Sequence, residues 1–358
     1  MEIKIKEILP GEKKPKPKDE SKLGFGKIFS DHFFTMEYKE GVGWRNASIE
    51  PYRPLILDPA AMCLHYGQEF FEGMKAYRGK DGAIYLFRPM ENIRRMNSSA
   101  ERLCSPVIDE ELFLEALKKL IILDKDWIPK SEGTALYIRP TMIATEAALG
   151  VHPADEFLFF IILCPVGAYY PQGFSPTKIY VSEEHVRAVR GGVGNIKAAG
   201  NYAASLLASK KASALGCTQV LWLDALERKY VEEVGTSNIF ILIGDELLTP
   251  PLSGSILPGV TRDSVIAMAR SWGVKVTERA PSIDEIIMAH GKGTLKEIFA
   301  SGTAAIVSPV GQICYKDIEC VIGGGKVGKL TERLYREILD IQYGVKNDPF
   351  GWRVKIYP

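Results

Sequence analysis

The sequence predicts a mixed α/β (α+β) protein of two domains, and three observations carry that prediction. The chain has 358 residues, which at about 150 residues per domain is enough for two. From about residue 24 onward, strand-like and helix-like segments alternate in both halves, with no repeat and no low-complexity tract. A stretch dense in Pro and Gly and without hydrophobic period, Pro165 to Pro176, interrupts the alternation near the middle. The expected organisation is a flexible, solvated extension over 1–22 and a smaller α/β domain over 23–165. An interdomain loop over 166–176 and a larger domain over 177–358 follow.

The elements follow in order. Asp81-Gly82 is a hairpin turn signal, and Ile84 to Phe87 reads as the strand after it. Pro89 suits a first helical position, so Met90 to Leu103 reads as a helix, carrying Arg94, Arg95 and Arg102. Glu110 to Leu123 is a second, amphipathic helix. Tyr137 to Arg139 and Phe157 to Leu163 read as strands, the latter buried on both faces. In the second half, Ile179 to Val181, Gln219 to Leu223 and Asn238 to Ile243 read as strands. Asn201 to Leu215 is a helix of small residues ended by Gly216, and Thr261 to Trp272 is a helix ended by Gly273. Ser282-Ile-Asp-Glu285 has capping-box spacing, and Leu330 to Tyr343 is an amphipathic helix near the C-terminus.

Composition excludes several functions. Forty-five basic residues stand against 44 acidic ones, a formal charge of +1. General nucleic-acid or membrane-surface binding leans on a basic excess, which is missing. The longest strongly apolar run, Phe157 to Cys164, stops at Pro165, well short of the roughly 20 residues of a membrane span. The first 22 residues hold seven Lys and five acids, unlike a secretory signal or an Arg-rich transit peptide. Six cysteines include no CxxC pair and five histidines no HxxxH pair. No metal site is therefore expected, and the thiols read as reduced and structural in a cytoplasmic protein.

Four segments could carry chemistry. Gly191-Gly-Val-Gly194 is neither a dinucleotide fingerprint nor part of a βαβ unit, and Gly323-Gly-Gly-Lys326 lacks the Ser or Thr of a P-loop. Small residues surround Lys197 on both sides, which would let a planar group approach its amine. Lys197 is either a surface lysine beside a turn or an amine that forms a Schiff base with a carbonyl. Leu257-Pro-Gly-Val-Thr-Arg262 opens a helix with Val260 and Thr261 at its first N–H groups: a capped helix or a phosphate site. Ser301-Gly-Thr-Ala-Ala305 is a small-residue turn, ordinary or anion-binding. In Glu232-Glu233, one acid should point inward on a strand, and a buried carboxylate needs a cationic partner.

Together these strings resemble the branched-chain amino acid aminotransferases, two-domain fold type IV enzymes dependent on pyridoxal 5′-phosphate (PLP). The resemblance rests on Phe25-Gly-Lys, His65 to Ala76, Phe87-Arg-Pro, Tyr137-Ile-Arg-Pro140, Gly191 to Tyr202, Glu233 to Asn238, Leu257 to Arg262 and Ser301 to Ala304. It runs in the family's order over residues 23–358. It implies an active site between the domains, with Lys197 as the catalytic lysine that carries PLP. Arg95, Val260, Thr261 and Thr303 would bind its phosphate, Tyr202 its ring hydroxylate and Glu233 its ring nitrogen. Phe25, Tyr66, Phe71, Tyr137 and Thr236 would form a pocket for the aliphatic side chain. Thr303 and Ala304 would hold the substrate carboxylate, and Arg139 the side-chain carboxylate of glutamate. Tyr169 would lie on a loop over the substrate, and Val151 would reach in from the partner of a homodimer. The implied reaction is transamination of L-leucine, L-isoleucine and L-valine with 2-oxoglutarate. A D-amino-acid aminotransferase or an aminodeoxychorismate-lyase-like enzyme of the same fold type is the alternative. Some animal members carry a CxxC where this chain has Ala305-Ile-Val-Ser308, so thiol regulation of that kind is not expected.

The roles are physically coherent. An anchor for a doubly charged phosphate should not titrate, which suits Arg95. A carboxylate at Glu233 would favour a protonated ring nitrogen. An uncharged aromatic pocket contributes about 0.8 kcal/mol per buried CH₂ and discriminates weakly among three branched side chains.

Overall fold

The computed structural model describes residues 1–167 and 173–358. The chain divides into two compact units, Met1–Pro171 with Ile196–Ala199 and Asp340–Pro358, and Gln172–Asn195 with Gly200–Leu339. The expected boundary placed the lysine segment and the whole C-terminus in the second domain. The difference has a backbone cause. Phe70 and Ala198 form an isolated β-bridge, and Phe71 N–H donates to the Lys197 carbonyl at 3.2 Å. The last strand, Arg353–Tyr357, pairs antiparallel with Ile84–Phe87.

A nine-stranded sheet organises the first unit. Its central pair is Ala135–Ala144 against Glu156–Val166, antiparallel over ten residue pairs. Side chains alternate along a strand, so Leu136 and Ile138 enter a core with Met36, Phe159 and the helix residues Leu117, Leu120 and Ile121. Tyr137 faces the other way, into a small aromatic cluster with Tyr77, Cys164 and Phe25. Helix Glu110–Leu123 has the expected ends, because Asp109 caps it through the Leu112 N–H at 2.9 Å. Strand Glu156–Val166 corrects one expectation: its residues alternate between buried and half-buried until Leu163. One face meets the helices and the other is only partly covered.

The first 22 residues are held rather than loose. Lys4–Ile5 pairs parallel with Ser48–Ile49. Ile8 N–H donates to His32 Nε2 at 2.9 Å, Lys14 Nζ to the Ser30 carbonyl at 2.7 Å, and Ser131 N–H to Glu20 at 2.7 Å. Lysines spaced among acids read as solvated, whereas Lys14 reaches the Ser30 carbonyl, Glu20 accepts from Ser131, and the Ile8 backbone reaches a histidine. The extension is therefore a strap, contrary to the expected flexible arm.

In the second unit, six strands follow one another in the order Val231–Val234, Gln219–Leu223, Thr177–Val181, Ile306–Tyr315, Leu295–Gly302 and Ser237–Ile243. The last pairs with the first, so the sheet closes on itself. Closure puts Glu233 opposite Asn238, and Asn238 opposite Ser301. Helix Val260–Ser271 follows the expected pattern within a residue, and Ser282 accepts from the Glu285 N–H as a cap at 3.0 Å. The expected helix Asn201–Leu215 is two, Ala199–Ala204 and Leu206–Ala214, broken at Ser205.

Candidate active site

In the first unit, a row of contacts joins five of the residues singled out from sequence. The Phe25 ring stands edge-on to Tyr137 at 4.9 Å. Arg139 donates to the Tyr137 hydroxyl at 3.0 Å, and its guanidinium lies 4.3 Å from the Phe71 ring centre. Lys197 Nζ lies 4.8 Å from the same ring. Phe71 therefore adjoins both a lysine amine and an arginine, and Arg139 links it to Tyr137 and Phe25. Gly73 makes room for this, since a Cβ there would overlap the Tyr137 hydroxyl. Arg139 Nε is buried and has no hydrogen-bond partner among the described residues.

Arg95 carries a counter-residue that the sequence reading missed. Glu72, fully buried, accepts from Arg95 Nε at 2.6 Å and Nη2 at 2.9 Å. It also accepts from Asn92 at 2.9 Å and from the Gly73 N–H at 3.0 Å. Burial pushes the Glu72 carboxyl up, but the charge of Arg95, its hydrogen bonds and the charge of Lys197 outweigh that and hold it below the usual carboxylate range. Glu72 takes one edge of the guanidinium, and a planar fork has a second edge that suits phosphate.

In the second unit, Glu233 is 3% exposed and its two oxygens have different partners. Oε2 lies 2.5 Å from Arg187 Nε in an ion pair whose side chains are almost wholly buried. Oε1 accepts from Asn238 Nδ2 at 2.8 Å. Neither Arg187 nor Asn238 had been given a role. The expectation that one acid of the pair points inward is too modest, because Glu232 is buried as well and accepts from the Ser255 hydroxyl. Burial pushes the Glu232 carboxyl up. One of the glycines before Lys197 has a packing role as well. A Cβ at Gly194 would overlap the Ser255 carbonyl, so this glycine lets the chain pack on itself.

Helix Val260–Ser271 begins at Gly259, which offers no capping side chain. A Cβ at Gly259 would overlap Asn238 Oδ1. Thr261 is buried in the helix's first turn. Thr303 and Ala304 form the half-buried turn between Leu295–Gly302 and Ile306–Tyr315, beside Ser301, whose buried hydroxyl has no hydrogen-bond partner among the described residues. Tyr202 is half-buried in helix Ala199–Ala204. Thr236, placed in the pocket from sequence, is exposed in the turn after Gly235. Tyr66 donates to the Leu149 carbonyl, and Val151 is 84% exposed. Tyr169 lies outside the described residues. Among the described residues no group of His, Cys, Asp or Glu could hold a metal ion, and no helix is long and apolar enough to cross a membrane.

A lysine amine beside aromatic rings and a braced arginine thus stand in the first unit, and a braced carboxylate and a helix start without a capping side chain in the second. The family model for class IV amino-transferases matches residues 69–313. The chain is 54% identical over 344 residues to branched-chain-amino-acid transaminase 1 of Bacillus subtilis (strain 168), covering 96% of each chain. It is 52% identical to branched-chain-amino-acid aminotransferase 2 of the same organism, over 98% of this chain and 97% of that one. Among solved structures, the Escherichia coli branched-chain amino acid aminotransferase superposes with a TM-score of 0.76 at 26% identity, covering 91% of this chain and 99% of that one. The T.th. branched-chain amino acid aminotransferase with pyridoxamine 5′-phosphate superposes with a TM-score of 0.74 at 28% identity, covering 90% and 98%. The chain belongs to the class IV aminotransferases and, within them, to the branched-chain-amino-acid aminotransferases.

Proposed function

We propose that this chain transfers the amino group of L-leucine, L-isoleucine or L-valine to 2-oxoglutarate, giving the branched 2-oxo acid and L-glutamate, with PLP as cofactor. The row Phe25, Tyr137, Arg139, Phe71 and Lys197 carries this reading, because it sets an apolar wall, a cation and an amine side by side. The relatives agree in substrate class. The T.th. neighbour has also been solved with N-(5′-phosphopyridoxyl)-L-glutamate and with 4-methylvaleric acid, one acidic and one branched apolar ligand.

The residues fit the cofactor. Gly259 can carry no Cβ and leaves the start of its helix without a side-chain cap, which suits a phosphate at Val260 and Thr261. By the family resemblance, Arg95 and Thr303 would also bind the phosphate, Tyr202 would hold the ring hydroxyl, and Glu233 would keep a proton on the ring nitrogen. When bound, PLP supplies an electron sink for the substrate α-carbon. Lys197 would hold the cofactor through its amine, and that amine, when free, is the group placed to take the proton from the substrate α-carbon. Phe25, Phe71 and Tyr137 would exclude water around the aliphatic side chain, where the resemblance also assigns Tyr66 and Thr236. Thr303 and Ala304 receive the α-carboxylate, and Tyr169 is assigned to the covering loop. Arg139 receives the second carboxylate of glutamate, a role its buried, unsatisfied Nε supports.

A homodimer in the cytoplasm belongs to the same proposal. Ile56, Leu64, Leu149 and Val151 are each more than half exposed, as residues that meet a partner would be. All six cysteines are free, in keeping with a reducing compartment. Lys197→Ala tests the core of the proposal. It should abolish both the visible band of the bound cofactor and transamination of L-leucine, and a variant that kept either would overturn it.

A further inference from the structure

Asn238 stands where three cofactor segments meet in the second unit. Its backbone pairs with Glu233 on one side and with Ser301 on the other. Its side-chain amide has two hydrogens, and both are used. One goes to Glu233 Oε1 at 2.8 Å, the other to the Leu257 carbonyl at 2.9 Å. Leu257 leads through Pro258 and Gly259 into the helix start assigned to the phosphate. Asn238 Oδ1 packs against Gly259 so closely that no side chain could replace the glycine hydrogen.

This arrangement exceeds what a core residue needs. Asn238 is 5% exposed, and a buried amide is costly unless every polar atom is matched. An apolar residue would fill the space without that risk. The amide is planar, so it cannot turn toward Glu233 without leaving Leu257. Arg187 supplies the charge that balances Glu233, while Asn238 sets where the carboxylate points relative to the turn. A rigid aromatic ligand with a phosphate at one end and a ring nitrogen at the other needs both anchors at a fixed separation.

We propose that Asn238 is a positioning residue that couples the ring-nitrogen carboxylate Glu233 to the phosphate turn 257–261, so that the two ends of the cofactor are gripped as one unit. The proposal rests on the PLP reading above. It concerns binding, so its test needs no turnover.

Full-length apoprotein is titrated with PLP and with pyridoxal, which lacks the phosphate, following protein fluorescence. The parent, Asn238→Ala and Asn238→Ser are compared. Asn238→Ser keeps a single hydroxyl donor, which cannot serve Glu233 and Leu257 together as the two amide hydrogens do. Both variants should bind PLP on the order of 10- to 100-fold more weakly, the worth of a hydrogen bond to a charged group. Pyridoxal binding should fall much less, so the preference for the phosphorylated ligand shrinks about tenfold or more. A merely structural role would weaken both ligands by one factor and leave that preference at the parent's value, which would overturn the proposal. If Asn238→Ala does not fold, Asn238→Ser alone decides between these outcomes. A parent that binds no PLP would remove the functional reading and this inference with it. A parent that binds PLP, with the ratio unchanged in the variants, would remove the role of Asn238 alone.

Discussion

Glu72→Gln is the substitution with the most direct consequence. It keeps the volume of the side chain and removes its charge. In the folded protein, Arg95 would then face a neutral amide while its guanidinium stays buried, 9% exposed in the parent. Breaking a buried ion pair from one side costs about 3–5 kcal/mol, because the remaining charge is uncompensated. For a domain of this size each kcal/mol lowers Tm by about 2–4 °C, so a fall on the order of 10 °C is expected at neutral pH. The sign of the pH dependence follows from the depressed carboxyl. The folded value lies below the ordinary 4.5, so the contribution is whole above about pH 4.5 and is lost as pH falls through the folded value. Differential scanning calorimetry of parent and variant at several pH values between 3 and 8 measures it. The gap between the two should be widest above pH 5 and narrow toward pH 3. A control, Glu115→Gln, breaks an exposed pair with Lys119 and should leave Tm unchanged. A Glu72→Gln protein that melts like the parent at pH 7, or a gap that ignores pH, would refute the reasoning.

Two further substitutions probe the same unit. Arg139→Gln should raise KM for L-glutamate and 2-oxoglutarate on the order of 10- to 100-fold, the worth of a charge-assisted contact. KM for L-leucine should change far less, and equal effects on the two substrate classes would remove the assigned role. Lys75 is buried, and burial brings its ammonium down from 10.5 to about 8. That lowering corresponds to about 3 kcal/mol of burial cost, present in full below about pH 8 and relieved as pH rises toward 10.5. Lys75→Met should therefore be more stable than the parent at pH 7, with the advantage shrinking by pH 10, as read from urea midpoints. A pH-independent advantage would count against it.

Much of the local structure was legible in the sequence. Helix Glu110–Leu123 was readable from its amphipathic period. Strand Ile84–Phe87 was readable because a turn signal precedes it and a proline follows. The break at Ser205 was not, since a run of small residues has nearly the same helical propensity on either side of it. The contacts of the lysine segment with Phe70 and Phe71 were hidden for a similar reason. No local pattern reveals that Phe70 and Phe71 pair with Lys197 and Ala198, because a bridge between distant segments is a property of the fold. The strap at the N-terminus was missed because its partners, His32, Asp31 and Ser131, lie in other segments.

The site shows the same division in sharper form. Motifs identified the charged residues that would meet the ligand, Arg95, Lys197 and Glu233, but not the residues that hold two of them. Glu72 and Asn238 lie inside strings that had been singled out, and Arg187 lies just before one. The reason is energetic. A charge assigned to a ligand must also be tolerable when buried without it, so it needs a fixed counter-group from the protein. For Arg95 that group is Glu72, and for Glu233 it is Arg187 with Asn238. A buried charged residue proposed as a ligand contact thus implies a second residue of opposite charge or matching hydrogen-bond capacity behind it. Sequence spacing cannot name that partner, but sheet register can narrow the search. Asn238 is the cross-strand neighbour of Glu233, and Glu72 adjoins Phe71, the residue paired with the Lys197 backbone. Substitutions behind the anchors should therefore weaken cofactor binding without touching the cofactor.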